Sequence, residues 1–97
     1  MITSKQRAQL RGMANRLDSV IHVGKTGLTD NITTQLNDVL KVRELIKGTV
    51  QEASPLTARE VADALAKATK SDVVQVIGRR FVLYRRNDEK PVIELVK

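Results

Sequence analysis

The alternation of apolar and polar residues divides the chain into seven predicted elements, the first of which is a helix. Thr3 and Gln6 have the spacing of a capping box, in which each residue's side chain satisfies the other's backbone N–H. The apolar residues that follow recur with the spacing of one helix face, and they are Leu10, Met13, Ala14 and Leu17. A helix that begins after Thr3 and buries this stripe is therefore predicted.

The next stretch predicts a strand, a helix and a second strand. Residues 20–23 form a short β-branched run that is typical of a strand. Thr29 can cap a second helix, because threonine accepts a hydrogen bond from the first turn. The apolar stripe of that helix consists of Ile32, Leu36, Val39 and Leu40. Residues 45–50 predict the second strand, in which Gly48 indicates either a bulge or a close approach of another group.

The last third of the chain predicts a helix and a hairpin. Thr57 and Glu60 form a second capping box, and the apolar stripe after it consists of Val61, Ala64, Leu65 and Ala68. Two apolar runs, 73–77 and 81–84, are separated by Gly-Arg-Arg, which indicates two strands and a tight connection. Residues 86–97 fit either a short edge strand or an ordered tail, and the sequence leaves both open.

The order α-β-α-β-α-β-β predicts an α/β (α+β) fold. Strand–helix–strand units give parallel pairs, and the final hairpin adds an antiparallel pair. We therefore expect a four-stranded mixed sheet with helices packed against it. The sequence has no linker, internal repeat or low-complexity tract, so residues 1–97 are predicted to form a single domain.

Composition and charge narrow the function. Seventeen Lys and Arg residues stand against eleven Asp and Glu, a formal net charge of +6, and such a basic balance favours polyanionic partners. The absence of cysteine excludes disulfides, cysteine-ligated metals and thiol catalysis. Without an apolar run long enough for a leader or a membrane span, we expect a cytoplasmic protein with no membrane partner. Phe81 and Tyr84 are the sole aromatic residues, so nucleic-acid contacts should go to phosphates and sugars rather than to stacked bases.

The Gly-Lys-Thr-Gly segment between the first strand and the second helix is the sharpest local motif. Gly24 and Gly27 allow a tight turn and a close approach of phosphate, the helix N-terminus favours an anion, and Lys25 adds a positive charge. An ordinary strand-to-helix turn explains the same residues, and on the motif alone that alternative is the stronger. A nucleotide-hydrolase loop is excluded, because it requires glycine at position 19, which is Ser19.

No set of residues indicates catalysis or metal binding. His22 is the only histidine and lies in an apolar strand pattern, so it has no second histidine or cysteine with which to form a metal site. Asp88 and Glu89 lie in a polar segment and fit solvated charges better than a catalytic pair. We therefore expect no enzyme activity, no catalytic residues, no cofactor and no small-molecule substrate.

Four sequence blocks in order resemble the CRM domain, whose bacterial single-domain form is YhbY. The blocks are Lys-Gln-Arg with Leu-Arg in residues 5–11, Gly-Lys-Thr-Gly-Leu-Thr in 24–29, Glu-Leu-Ile-Lys in 44–47, and Val-Gln-Val-Ile-Gly with Val-Leu-Tyr-Arg in 74–85. The chain departs from the family pattern at Ser19, where proline is frequent, and at Gly48, where a β-branched residue is frequent. Neither departure touches the glycine loop.

The resemblance implies an RNA-binding domain similar in fold to the C-terminal domain of the third bacterial initiation factor. It implies association with ribosomal RNA in the large ribosomal subunit or its precursor, as a ribosome-assembly factor. The family's RNA-contacting loop maps onto Gly24, Lys25, Thr26 and Gly27. To these four, the distribution of charge adds five basic residues: Lys5, Arg7, Arg11, Arg79 and Arg80.

Two other functions are weighed against this one. The basic surface could bind an acidic protein partner, and RNA binding would differ from that by a steep dependence on salt. A DNA-binding or general single-strand-binding protein is the third hypothesis, and the scarcity of aromatic residues counts against its single-strand form. We expect the protein to be a monomer.

Overall fold

The computed structural model describes residues 2–97 and confirms the predicted order of elements. Its helices are α1 (Ser4–Ala14), α2 (Asp30–Arg43) and α3 (Ala58–Thr69), and its strands are β1 (Ser19–Val23), β2 (Leu45–Val50), β3 (Asp72–Ile77) and β4 (Arg80–Tyr84). In this part of the chain, no helix is both long and apolar enough to cross a membrane.

Each helix begins where the sequence places a capping residue. The Thr3 hydroxyl accepts from the Gln6 backbone N–H at 3.1 Å, and the Gln6 side chain accepts from the Thr3 N–H at 2.9 Å. Thr57 and Glu60 make the same reciprocal pair at 3.2 and 3.0 Å. Thr29 caps α2 through its side-chain oxygen. Because such bonds satisfy N–H groups that a helix leaves unpaired, they fix the three starting points locally.

The four strands form one mixed sheet in the order β1-β2-β4-β3. β1 and β2 are parallel, whereas β4 is antiparallel to both β2 and β3. In the second strand–helix–strand unit, β2 and β3 run parallel as predicted, but the expectation that they pair is wrong, because β4 lies between them and is antiparallel to both. The physical reason is that residues 81–84 are all buried, and a strand that is apolar on both faces is stable only in the middle of a covered sheet.

The two faces of the sheet are covered by different helices. α2 and α3 pack on one face, over a core that includes Ile21, Leu36, Ile46, Leu65, Phe81 and Leu83. α1 packs on the other face, over a smaller cluster formed by Leu10, Ala14, Leu45, Val74, Val82 and Tyr84. The result is three layers, and β2 and β4 contribute side chains to both cores.

Three predicted core positions are exposed instead. Met13 is 40% exposed, and Ala64 and Ala68 also lie at the surface. α3 instead buries other small residues of the same helix, namely Ala58, Ala62 and Ala66, together with Val61 and Leu65. The stripe is rotated because α3 packs against α2 as well as against the sheet. An apolar period alone does not specify which of several alanines faces a second helix.

Gly48 marks a close approach rather than a bulge. It pairs with Phe81 across β2 and β4, and a Cβ at this position would overlap the Phe81 ring. The register shifts of the sheet lie elsewhere, between Ser19 and Ile21 and between Val73 and Gln75. The glycine therefore makes room for the largest fully buried side chain.

Residues 86–97 form an ordered tail without strand pairing. The buried carboxylate of Glu44, which follows α2, accepts backbone N–H groups from Asn87 at 2.6 Å and from Val92 and Ile93 at 2.7 Å each. Ile93 and Leu95 pack against the α1 cluster. Burial by itself would raise the pKa of Glu44, but the three N–H donors and the charge of Arg86 hold it below its ordinary value.

Candidate functional site

Several connections meet at one end of the strands of the sheet. We call this end the loop edge, and it comprises residues 24–27, 51–57 and 78–80. β1 and β2 are parallel, so their carboxyl ends lie together, and the Gln51 N–H donates to the Val23 carbonyl at 2.8 Å. The turn between β3 and β4 reaches the same edge, where the Val50 N–H donates to the Arg79 carbonyl at 2.7 Å. The topology therefore brings the glycine motif and the Gly78-Arg79-Arg80 segment together.

The two glycines of the motif shape the loop. The Gly27 N–H donates to the Gly24 carbonyl at 2.9 Å, which closes a four-residue turn. Gly27 has φ of 68° and is buried, and a Cβ there would lie 3.4 Å from Pro55. One backbone donor of residues 24–27, the Gly27 N–H, is therefore used inside the turn, and phosphate contact by this loop stays a prediction.

The tip of the loop is the part that faces solvent. Lys25 and Thr26 are exposed, and their backbone N–H groups donate to no protein acceptor within residues 2–97. At the adjacent helix end, Thr29 caps α2 and Asp30 places a negative charge in its first turn. The tip thus presents an ammonium group, a hydroxyl and two N–H groups, a set of donors suited to an anion.

Arg79 and Arg80 are the predicted arginines at the loop edge. The Arg79 side chain lies 3.6 Å from the Glu52 carboxylate, and both are well exposed. An exposed ion pair of this kind contributes little energy, so it leaves Arg79 able to exchange partners. Arg80 is exposed at the first position of β4. In contrast, Arg85 lies at the other end of β4, where its guanidinium is held by Asn37 at 2.7 Å.

The predicted basic residues of α1 are not gathered at this edge. Arg7 is half-buried and donates to the backbone carbonyls of Val73 and Val74, so its charge ties α1 to β3. Lys5 is exposed in the first turn of α1. That end of the helix lies beside Tyr84, at the end of the strands opposite the loop edge. Arg11 is exposed in the last turn. The structure therefore does not bring Lys5 and Arg7 to the loop edge, and their contact with RNA stays a prediction.

Two residues that sequence reasoning left out of the site lie next to it. His22 is exposed on β1 and Lys47 is half-buried on β2, both on the sheet face that carries α1. The signal was present in the alternation of each strand, because the neighbours Ile21 and Ile46 are buried on the opposite face. Within residues 2–97, no three His, Cys, Asp or Glu side chains gather as a metal-binding group.

Comparison with known proteins gives consistent matches over nearly the whole chain. The model of the CRS1/YhbY (CRM) domain family matches residues 2–85. A Bacillus subtilis protein named "Probable RNA-binding protein YqeI" is 41% identical over 95 residues, covering 98% of this chain and 99% of its own. A Haemophilus influenzae protein named "RNA-binding protein" is 34% identical over 91 residues, with coverage of 94% and 92%. The solution structure of Staphylococcus aureus SAV1595 superposes with a TM-score of 0.82 at 41% identity, covering 99% of this chain and all of that one.

Proposed function

The chain belongs to the CRS1/YhbY (CRM) domain family, and from this membership we propose that it binds RNA through the loop edge. Relatives that match over more than nine-tenths of their length carry RNA-binding in their names, which supports RNA as the polyanion that the net charge of +6 favours. The proposed activity is binding, and catalysis has no part in it.

The observation that carries the proposal is the placement of the loop tip beside the arginine turn. Lys25 and Thr26 project from one connection, and Arg79 and Arg80 come from another, at the same edge of one sheet. Three cationic side chains, a hydroxyl and free N–H groups at one edge can contact several phosphates at once. Such contacts fix the position of the protein on RNA but do not read bases, so we expect affinity with little dependence on sequence.

The finer proposal is that the bound RNA is ribosomal RNA in the large subunit or its precursor, where the protein acts as an assembly factor. It rests on the family resemblance of the four sequence blocks. We also propose that the protein is a monomer in the cytoplasm. A charged loop and turn that are held by the strands of one sheet suit the recognition of folded RNA.

A salt titration of binding tests the loop edge. For Lys25→Ala and Arg79→Ala we expect weaker binding to unrelated RNA sequences, and a slope of log K against log salt that falls by about 0.7–0.9 for each lost phosphate contact. Lys67→Ala is the matched control, because it removes one exposed charge from the last turn of α3, away from the loop edge. Equal slopes for all three variants and the wild type would refute the loop edge as the site.

Sedimentation of a cell lysate tests the finer proposal. Tagged protein should travel with large-subunit particles in a sucrose gradient and should leave them after treatment with RNase. Lys25→Ala should shift the protein toward the top of the gradient, whereas Lys67→Ala should not. Co-sedimentation that survives complete RNA digestion would instead favour an acidic protein partner.

A further inference from the structure

One half of a sheet face carries no covering helix. α1 and the tail cover the half that lies away from the loop edge, where Leu45, Val82 and Tyr84 are buried. The half next to the loop edge is open, and we call it the open face; it consists of His22, Lys47, Thr49, Gln75, Ile77 and Arg80. A shallow depression of about 160 Å³ between this face and Asn15, at the end of α1, marks the boundary of the helix.

The strand register aligns four of these residues in one row across the sheet. His22 pairs with Thr49, Thr49 pairs with Arg80, and Arg80 pairs with Ile77. Since neighbouring strands lie about 4.8 Å apart, the row spans about 14 Å. His22, Arg80 and Ile77 are exposed, the last by 63%. The row is therefore a continuous accessible strip that begins beside the glycine loop and ends at the edge strand.

The side chains of the open face suit a polyanion. Arg80 and Lys47 supply positive charge, His22 and Thr49 supply polar hydrogens, and none of the six residues is acidic. The Thr49 hydroxyl lies 2.5 Å from that of Ser19, a contact that orients it within the sheet. Arg80 belongs both to this row and to the loop edge, so the two surfaces are continuous.

The same face lacks what a single-stranded ligand requires. Sheets that bind single strands expose aromatic rings on which bases stack. The two aromatic residues of this chain, Phe81 and Tyr84, are 0% and 3% exposed. The apolar member of the row is Ile77, which can pack against a sugar but offers no flat surface to a base. The open face thus presents donors and positive charge without a stacking platform.

We propose that the open face binds the sugar–phosphate backbone of an RNA duplex. This inference rests on the proposed function and names the form of RNA that the site takes. An A-form duplex displays phosphates and 2′-hydroxyls along a wide, shallow minor groove, which a nearly flat strip of donors can follow. Lys25 at the loop tip contacts one backbone, and the row from His22 to Arg80 lies along the adjoining one.

Binding measurements with three nucleic acids test the inference. The ligands are a hairpin RNA duplex, one of its strands made unable to pair, and the DNA duplex of the same sequence. For the double variant His22→Ala/Lys47→Gln we expect a loss of about tenfold for duplex RNA and less than twofold for the single strand, because two modest contacts are removed. Lys67→Ala is again the control. Circular dichroism confirms folding, and amide shifts of residues 22, 49, 77 and 80 on titration locate the duplex independently of any variant.

The outcomes separate this inference from the proposed function. If Lys25→Ala weakens RNA binding while the double variant and the four amides are unaffected, the open face is not a contact surface and the loop-edge proposal stands. Preference for the single strand over the duplex likewise overturns the inference alone. If the wild-type protein binds none of the ligands, both proposals fail. If the double variant loses affinity for duplex RNA alone, and the amides along the row shift, the open face is supported as the surface that binds the duplex.

Discussion

Glu44→Gln is the substitution whose effect the structure defines best. The carboxylate is fully buried and accepts three backbone N–H groups of the tail, with one oxygen shared by Val92 and Ile93 and the other taken by Asn87. Glutamine has nearly the same shape but keeps a single acceptor oxygen. If that oxygen retains Val92 and Ile93, the new NH2 group faces the Asn87 N–H, and two donors oppose each other.

The expected loss of stability follows from the number of hydrogen bonds and from an upper limit on their sum. A hydrogen bond to a charged group contributes about 1.5–3 kcal/mol, so three would suggest a much larger total. The tail can detach, however, and water then satisfies its N–H groups, so the cost cannot exceed the free energy with which residues 86–97 are docked. For Glu44→Gln we expect about 2 kcal/mol, the value of one charged bond. For a domain of this size, that lowers Tm by roughly 8–16 °C.

Hydrogen exchange measures how firmly the tail is docked, and urea unfolding measures the stability of the whole protein. The amides of Asn87, Val92 and Ile93 should exchange slowly in the wild-type protein and much faster in the variant, while β4 stays protected. Glu89→Gln is the matched control, because it removes the same charge from an exposed position in the same tail. Unchanged Tm and unchanged protection of the three amides in Glu44→Gln would refute the argument that this carboxylate holds the tail.

The same group predicts how stability depends on pH. The folded pKa of Glu44 lies below its ordinary value, since the N–H donors and Arg86 outweigh the effect of burial. Its contribution is therefore complete above the unfolded pKa of about 4.5 and is lost as pH falls through the folded pKa. The difference in unfolding free energy between wild type and Glu44→Gln should be constant near neutral pH and should shrink below about pH 4. A difference that grew on acidification would contradict the assigned direction.

Four further substitutions test other features of the structure. Gly48→Ala should lower stability by about 1–3 kcal/mol in thermal unfolding, because its methyl group overlaps the Phe81 ring, whereas Gly12→Ala in the exposed part of α1 should raise stability by about 0.5–1 kcal/mol. Arg7→Ala should cost about 1–3 kcal/mol by leaving strand carbonyls unpaired, yet its salt slope for RNA should match the wild type. Gly27→Ala should cost about 1–2 kcal/mol because of its left-handed backbone, and urea midpoints that stayed equal to wild type would contradict the turn geometry.

The positions of the predicted site residues followed from the sequence where they lie on one connection, but not where several connections had to meet. The glycine motif was placed between a strand and a helix from its spacing alone, and that placement is confirmed. Whether Arg79 or Arg85 shares an edge with it depended on the direction of β4 relative to β2, a long-range pairing. Arg7 has the charge of a phosphate ligand, but its neighbour across the fold is a pair of strand carbonyls. The sequence sets the charge of a residue, whereas packing decides whether that charge is free to contact a phosphate.

What the sequence determined by itself was local. Capping boxes, β-branched runs and turn glycines act over a few residues, so the starts of the three helices, the order of elements and the family resemblance followed from the printed chain. The tertiary structure alone decided that β4 lies in the middle of the sheet, that Glu44 holds a tail some forty residues later in the chain, and that half of one sheet face stays open. These features depend on contacts between distant segments, whose energies no short pattern encodes.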